Sequence, residues 1–284
     1  MTTTAAVDYE RLVTLLHGEI DAGHLTLPVM PDIAMRVKEE AANPTSSARR
    51  LAQIIGGDGA LAARVLKMAN SAIYAGLSEI RDLDHAIGRL GTAMVVALVI
   101  GAAGKEAFRS DEPEFQAMLA DSWSRSLFAS AVGRLIAEPC GLDREESFLA
   151  GLLHASGESV LLESLRKLMF SGAIEHPESA LTRRALEELA PTAGARLLKK
   201  WGLPASLWCA VEFQAEPARA PIEHGQRAAL VSLVAGFAQV YAAGQGRSEL
   251  MQHPAVVQLG ILPDTIDTVF SKASDDAREF ARVL

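Results

Sequence analysis

No residue between positions 228 and 246 is charged, and arginines stand at both ends, Arg227 and Arg247. A helix that is apolar on every side must be covered on every side, so this run requires either a membrane or the middle of a large helical body. Ser232, Gln239 and Gln245 interrupt it, together with Gly236, Gly244 and Gly246. Its length only just reaches what a bilayer of roughly 30 Å demands. The expectation is a buried central helix, and therefore a protein thick enough to have a centre. A chain of 284 residues supplies the material, as one large domain or two compact ones.

The rest of the chain points the same way. Hydrophobic residues make up 49% but aromatics only 5%, because Ala and Leu carry the apolar content. Few segments show the β-branched enrichment and period-two alternation of strands, whereas strong helix formers are everywhere. The fold expected is all-α. The net charge of −8 disfavours a whole-protein affinity for nucleic acid or anionic membrane. Cys140 and Cys209 stand in no ligand-like spacing, and the first residues lack the charged start and apolar run of a signal peptide. These features suggest a cytoplasmic protein with no membrane segment.

Turn and cap signals divide the chain into helices. An amphipathic helix over 7–21 buries Leu12, Leu15, Leu16 and Ile20. Pro28 and Pro31 exclude a helix across 27–31. Helices follow at 32–42, at 48–55 with Ser46 or Ser47 as cap, and at 60–70 after the turn Gly56-Gly57-Asp58-Gly59. Another starts after Asp82 or Asp84, and Gly91 opens an apolar core helix over 93–103. The polar stretch 109–113 reads as a subdomain boundary. Beyond it helices are expected at 114–138, 143–154, 158–170, 179–189, 192–201, 204–213, 226–243 and 264–283.

Several separated motifs then fall into order: Leu27-Pro28 with Pro31; Ile55, Asp58, Leu61, Arg64 and Leu66; Ala69-Asn70-Ser71-Ala72 with Tyr74; Ile80, Ala86-Ile87 and Leu90-Gly91; Trp123 with Ser126; Phe148 to His154; and Trp201-Gly202-Leu203-Pro204. In that order and spacing the chain resembles the HDOD family, the HD-related output domains of bacterial signalling proteins, over about 25–243. The resemblance implies a smaller N-terminal helical subdomain (25–110) packed on an HD-like helical subdomain (111–243). Residues 1–24 would be an N-terminal helix and 244–284 a C-terminal helical extension.

The resemblance also implies where a metal site would be. HD hydrolases hold divalent metals through His and Asp, which polarise a phosphate and activate water. Where the family pattern has its early histidine, two residues after Trp123, this chain has Arg125. The His-Asp pair is His154-Ala155, a later histidine position is Ala190, a His-His pair falls on Gln214-Ala215, and the last aspartate falls near Gly236. Only His154 survives, and a lone imidazole cannot hold such a metal against water. No catalytic, metal or cofactor-binding residue is expected, and no cofactor. Arg125, His154 and Glu158 remain as contacts of a vestigial pocket. His154 and Glu158 are four apart and would share a helix face unless Gly157 ends the helix first.

Other features carry less. His17 and His24 suit a surface, Glu187-Glu188 a solvated helix face, and the 56–59 glycine turn lacks the Lys-Ser/Thr of a phosphate loop. Ser156 has no strand-to-helix elbow. Helices 48–55 and 60–70 have helix-turn-helix spacing, and Arg49, Arg50, Arg64 and Lys67 against Asp58 give that stretch +3. The second helix, however, opens on Gly59-Ala60-Leu61-Ala62-Ala63, with no side chain to read a base edge. The functional expectation is a non-catalytic signal-transduction protein acting on a protein partner, with self-association open. A sensor that binds a nucleotide or small anion through Arg125 and His154 is the alternative, and DNA binding ranks below it.

Overall fold

The computed structural model describes residues 8–74, 76, 78–244 and 247–284, and no strand occurs among them. The chain is all-α. Its N-terminal part comprises α1 (Tyr9–Asp21), α2 (Asp32–Ala42), α3 (Ala48–Ile55), α4 (Gly59–Ala69), α5 (Leu83–Leu90) and α6 (Thr92–Ala107). Val7, expected in the first helix, lies outside the described residues.

Short polar side chains start these helices. The Asp8 carboxylate accepts from Arg11 N, Ser47 Oγ from Arg50 N, and Asp58 from Ala60 N and Leu61 N. Asp82 rather than Asp84 caps α5. Each cap satisfies amide groups that a helix start leaves without internal partners.

The larger bundle contains α7 (Pro113–Ala137), α8 (Arg144–Leu153), α9 (Ser156–Phe170), α10 (Ser179–Lys200), α11 (Ala205–Glu212) and α12 (Gly225–Ala243). α12 is the uncharged helix, and it buries Ala228, Ala229, Leu230, Val231, Leu233, Val234, Phe237 and Ala238 around its circumference. Protein covers it rather than lipid. No single helix among the described residues is long and apolar enough to cross a membrane.

Two sequence expectations are corrected here. Helices 179–189 and 192–201 are one helix, α10, running through Pro191. Proline removes a single bond, the one to the Glu187 carbonyl, while packing against α9 and α11 holds both halves in line. Gly157 does not end a helix either. The break falls at His154 and Ala155, and Gly157 lies in the first turn of α9. A Cβ on Gly157 would collide with the Ala190 carbonyl and sit 2.6 Å from Gly194 N, so α9 and α10 meet backbone to backbone there. Glycine is required for that approach.

The two ends of the chain belong to the main body. α1 packs on α9 and α10: Arg11 donates to the Ala173 carbonyl, Arg196 to the Ile20 carbonyl, and the Tyr9 hydroxyl to Glu188. Glu188 is exposed, as expected of a solvated helix face, and accepts that bond at the surface. His17 and His24 are exposed as expected.

After α12 come two short helices absent from the sequence reading, α13 (Arg247–Met251) and α14 (Pro254–Gln258), and then α15 (Pro263–Val283). α15 lies along α7 and buries Ile266, Val269, Phe270, Ala273, Ala277 and Phe280. Its rings pair with the bundle, Phe270 with Phe128 at 5.1 Å and Phe280 with Phe148 at 4.7 Å between centroids. Each large apolar side chain so buried contributes roughly 1.5–3 kcal/mol. The C-terminal extension is part of the core.

Side-chain to backbone contacts tie the separated motifs together. Trp201 Nε1 donates to the Pro28 carbonyl at 3.0 Å, and Lys38 Nζ reaches the Trp201 carbonyl at 2.6 Å. Asn70 clamps Ile80, its Nδ2 donating to Ile80 O at 2.8 Å and its Oδ1 accepting from Ile80 N at 2.9 Å.

Candidate functional site

The positions that the family pattern assigns to metal ligands come together in space. Arg125 from α7, His154 and Ala155 from the α8–α9 break, Ala190 from α10, Gln214 and Ala215 after α11, and Gly236 from α12 all line one cavity of about 290 Å³. A neighbouring hollow of about 380 Å³ continues it past Arg125, Glu158 and Glu187 towards Asp121 and Arg183.

Arg125 and Glu158 dominate its electrostatics. Arg125 Nη2 donates to both Glu158 carboxylate oxygens at 3.1 Å, and its Nε lies 3.3 Å from Asp121 Oδ2, one turn back on α7. Burial pushes the Glu158 carboxyl up, and the Arg125 charge opposes that rise. Arg125 is thus held between two carboxylates. It lines the cavity, as the alternative anion-binding reading requires, but is already paired there.

His154 is 5% exposed, and its Nδ1 lies 2.7 Å from the Gly151 carbonyl, which assigns the ring proton to Nδ1. Burial lowers its pKa to about 4, and Arg125 adds to the effect, so the imidazole is neutral at pH 7. Its own carbonyl accepts from Gln214 Nε2 at 3.0 Å. Because the chain breaks after Leu153, His154 and Glu158 belong to different helical segments, yet both line the cavity.

Three lining residues had no part in the sequence reading of this site. Asp121 was legible as a helical neighbour four before Arg125. Glu187, on the exposed helix face expected for it, stands at the rim of the cavity from α10. His253, just before α14, enters from outside the span of the resemblance, and no sequence signal pointed to it. It stands against Gly236, where a Cβ would meet its Cδ2 at 3.5 Å. Near where the resemblance implies an aspartate, this chain has a glycine with an imidazole beside it. Burial lowers the pKa of His253 as well.

This donor set does not fit a divalent metal. Ala155, Ala190, Ala215 and Gly236 offer no side-chain donor, and Glu158 is bound by a guanidinium. No group of three or more His, Cys, Asp or Glu among the described residues is placed to hold a metal ion.

An all-α body with one cavity where the resemblance implies HD ligand positions fits an HD-related module. Residues 27–217 match the model of the HDOD domain, and the chain belongs to the HDOD family. No curated protein matches it in sequence. Among solved structures it is similar to a candidate metal-dependent phosphohydrolase from Shewanella amazonensis SB2B, with TM-score 0.79, 22% identity, and 96% of this chain and 99% of that one covered. An HDOD domain protein of unknown function from Geobacter sulfurreducens gives TM-score 0.72 at 20% identity, covering 98% and 99%. A candidate signal transduction protein from Marinobacter aquaeolei VT8 gives 0.65 at 20% identity, covering 99% of this chain and 66% of that one. At these identities the likeness is one of fold.

Proposed function

We propose that the protein is a non-catalytic HDOD regulator that acts in signal transduction by presenting its helical body to a protein partner. The observation that carries this reading is Arg125, a permanent cation in the ligand cluster, locked to Glu158 and Asp121. A hydrolytic site needs several convergent anionic or imidazole donors at a metal, and here the cluster is closed by an internal ion pair. The family membership and the similarity to a structure named for signal transduction support the setting. Binding of a nucleotide or small anion at Arg125 ranks below this reading, because a phosphate there would have to displace Glu158.

The test has two arms. Purified protein is assayed for bound Mn, Fe and Zn and for phosphodiester hydrolysis, and stoichiometric metal together with turnover would overturn the reading. A pull-down analysed by mass spectrometry is then expected to recover a signalling protein that re-forms a stoichiometric complex from purified components.

A further inference from the structure

A larger cavity, about 680 Å³, opens where the 71–74 turn, α7, α8 and α15 meet. Five cations line it, Arg134, Arg144, Lys272, Arg278 and Arg282, against the three carboxylates Asp275, Asp276 and Glu279. The lining residues alone carry a surplus of two positive charges, with Glu138 pairing Arg144 at 3.1 Å and Glu145 standing 4.0 Å from Arg134 just outside the lining.

Arg278 and Arg282 are paired along the exposed face of α15 with Asp275 and Glu279. Arg134 differs. Its side chain is 9% exposed, its Nε has no hydrogen-bond partner, and Glu145 Oε1 is 4.0 Å away. Its guanidinium carbon lies 4.9 Å from the centroid of the Tyr74 ring. Arg144 already donates from Nη1 to Glu138 at 3.1 Å, but its Nε, like the Tyr74 hydroxyl, is buried without a hydrogen-bond partner. A buried donor left without a partner is costly, and native proteins keep few of them. Three such donors beside one cationic cavity call for a ligand with several acceptor oxygens and negative charge.

We propose that this cavity binds the phosphate of a small molecule through Arg134, Arg144 and Lys272, with the Tyr74 hydroxyl as a further donor. Guanidinium forks match phosphate oxygens in spacing and charge. Asp276 is the internal competitor: burial pushes its carboxyl up, while Lys272, Arg134 and Arg144 act to lower it. An incoming phosphate takes over those three cations. The site joins the 69–74 motif to the bundle and to α15, so an occupant clamps the N-terminal layer onto the C-terminal helix. It is separate from the Arg125 cavity, and neither proposal depends on the other.

Calorimetric titration of the full chain with pyrophosphate and with ADP, at low ionic strength and pH 7, tests it. Saturable one-to-one binding is expected. Arg134→Gln weakens it at least tenfold and Lys272→Ala at least threefold, whereas Asp276→Asn tightens it at least threefold. Lys272 is exposed, so its variant does not depend on how well the Arg134 variant folds. ADP binding more tightly than pyrophosphate supports the site with a nucleotide as ligand, and equal affinities support it with phosphate alone recognised. Absence of saturable binding by either probe, or binding unchanged in both Lys272→Ala and Asp276→Asn, overturns the proposal.

Discussion

Arg125 Nη2 bridges both carboxylate oxygens of Glu158 at 3.1 Å, tying α7 to the first turn of α9 across the place where HD proteins hold metal. The two groups depend on each other because both side chains are largely buried, 17% exposed for Arg125 and 10% for Glu158. Removing one strands the other away from water, which costs far more than the net worth of the pair.

Arg125→Ala is therefore expected to lower unfolding stability by about 3 kcal/mol, the low end for a broken buried pair. The double variant Arg125→Ala/Glu158→Leu should recover a good part of that loss, because no charge is left buried alone. Urea unfolding of the two variants decides it; equal losses in both would refute the coupling.

Acid should destabilise the protein through His154. Its folded pKa is about 4 against an ordinary 6.5, so the unfolded chain binds the proton more readily. The stability this gives is complete above pH 6.5 and declines as pH falls towards 4, by about 3 kcal/mol at full effect. Glu158, whose folded pKa is raised, works in the opposite sense at the acid end of that window. Comparing urea midpoints at pH 7 and pH 5 in the wild type and in His154→Gln isolates the histidine: the pH slope should flatten in the variant.

Two glycines should respond with opposite signs to the same change. Gly157→Ala drives a methyl into the backbone of α10 and is expected to cost about 3 kcal/mol or more. Gly236→Ala meets Leu250 Cδ2 at 3.4 Å and His253 at 3.5 Å, ordinary contact, and removes a glycine from a helix interior. It should be neutral or stabilising by up to about 1 kcal/mol. Thermal melts of both variants test the pair.

Ending the chain at residue 243 should prevent cooperative folding. The truncation removes α15 and leaves Phe128 and Phe148 without their partners Phe270 and Phe280. Loss of a sigmoidal melt, or of proton chemical-shift dispersion, is the expected result. A truncated protein that melts like the full chain would show that the extension merely rests on the bundle.

Helix existence was legible from the sequence because caps and apolar spacing are local signals: Asp58 and Ser47 mark starts, and the uncharged run marks the centre. The split at Pro191 was misread because a proline's local cost does not report the packing on both sides of it. Gly157 was misread for the same kind of reason, since its role depends on α10, over thirty residues away. Arg125 and His154 could be placed in one site by the family pattern, but that pattern was silent about Asp121 as a partner and about His253.

What the sequence determined by itself is the helical class, the family, and which side chains stand at positions 125, 155, 190, 214, 215 and 236, since these are matters of residue identity and short-range spacing. The tertiary structure alone decided that those positions share one cavity, that Glu158 neutralises Arg125 inside it, and that α15 completes the core. Charge pairing and burial are set by distances between segments far apart in the chain, and composition does not encode those distances.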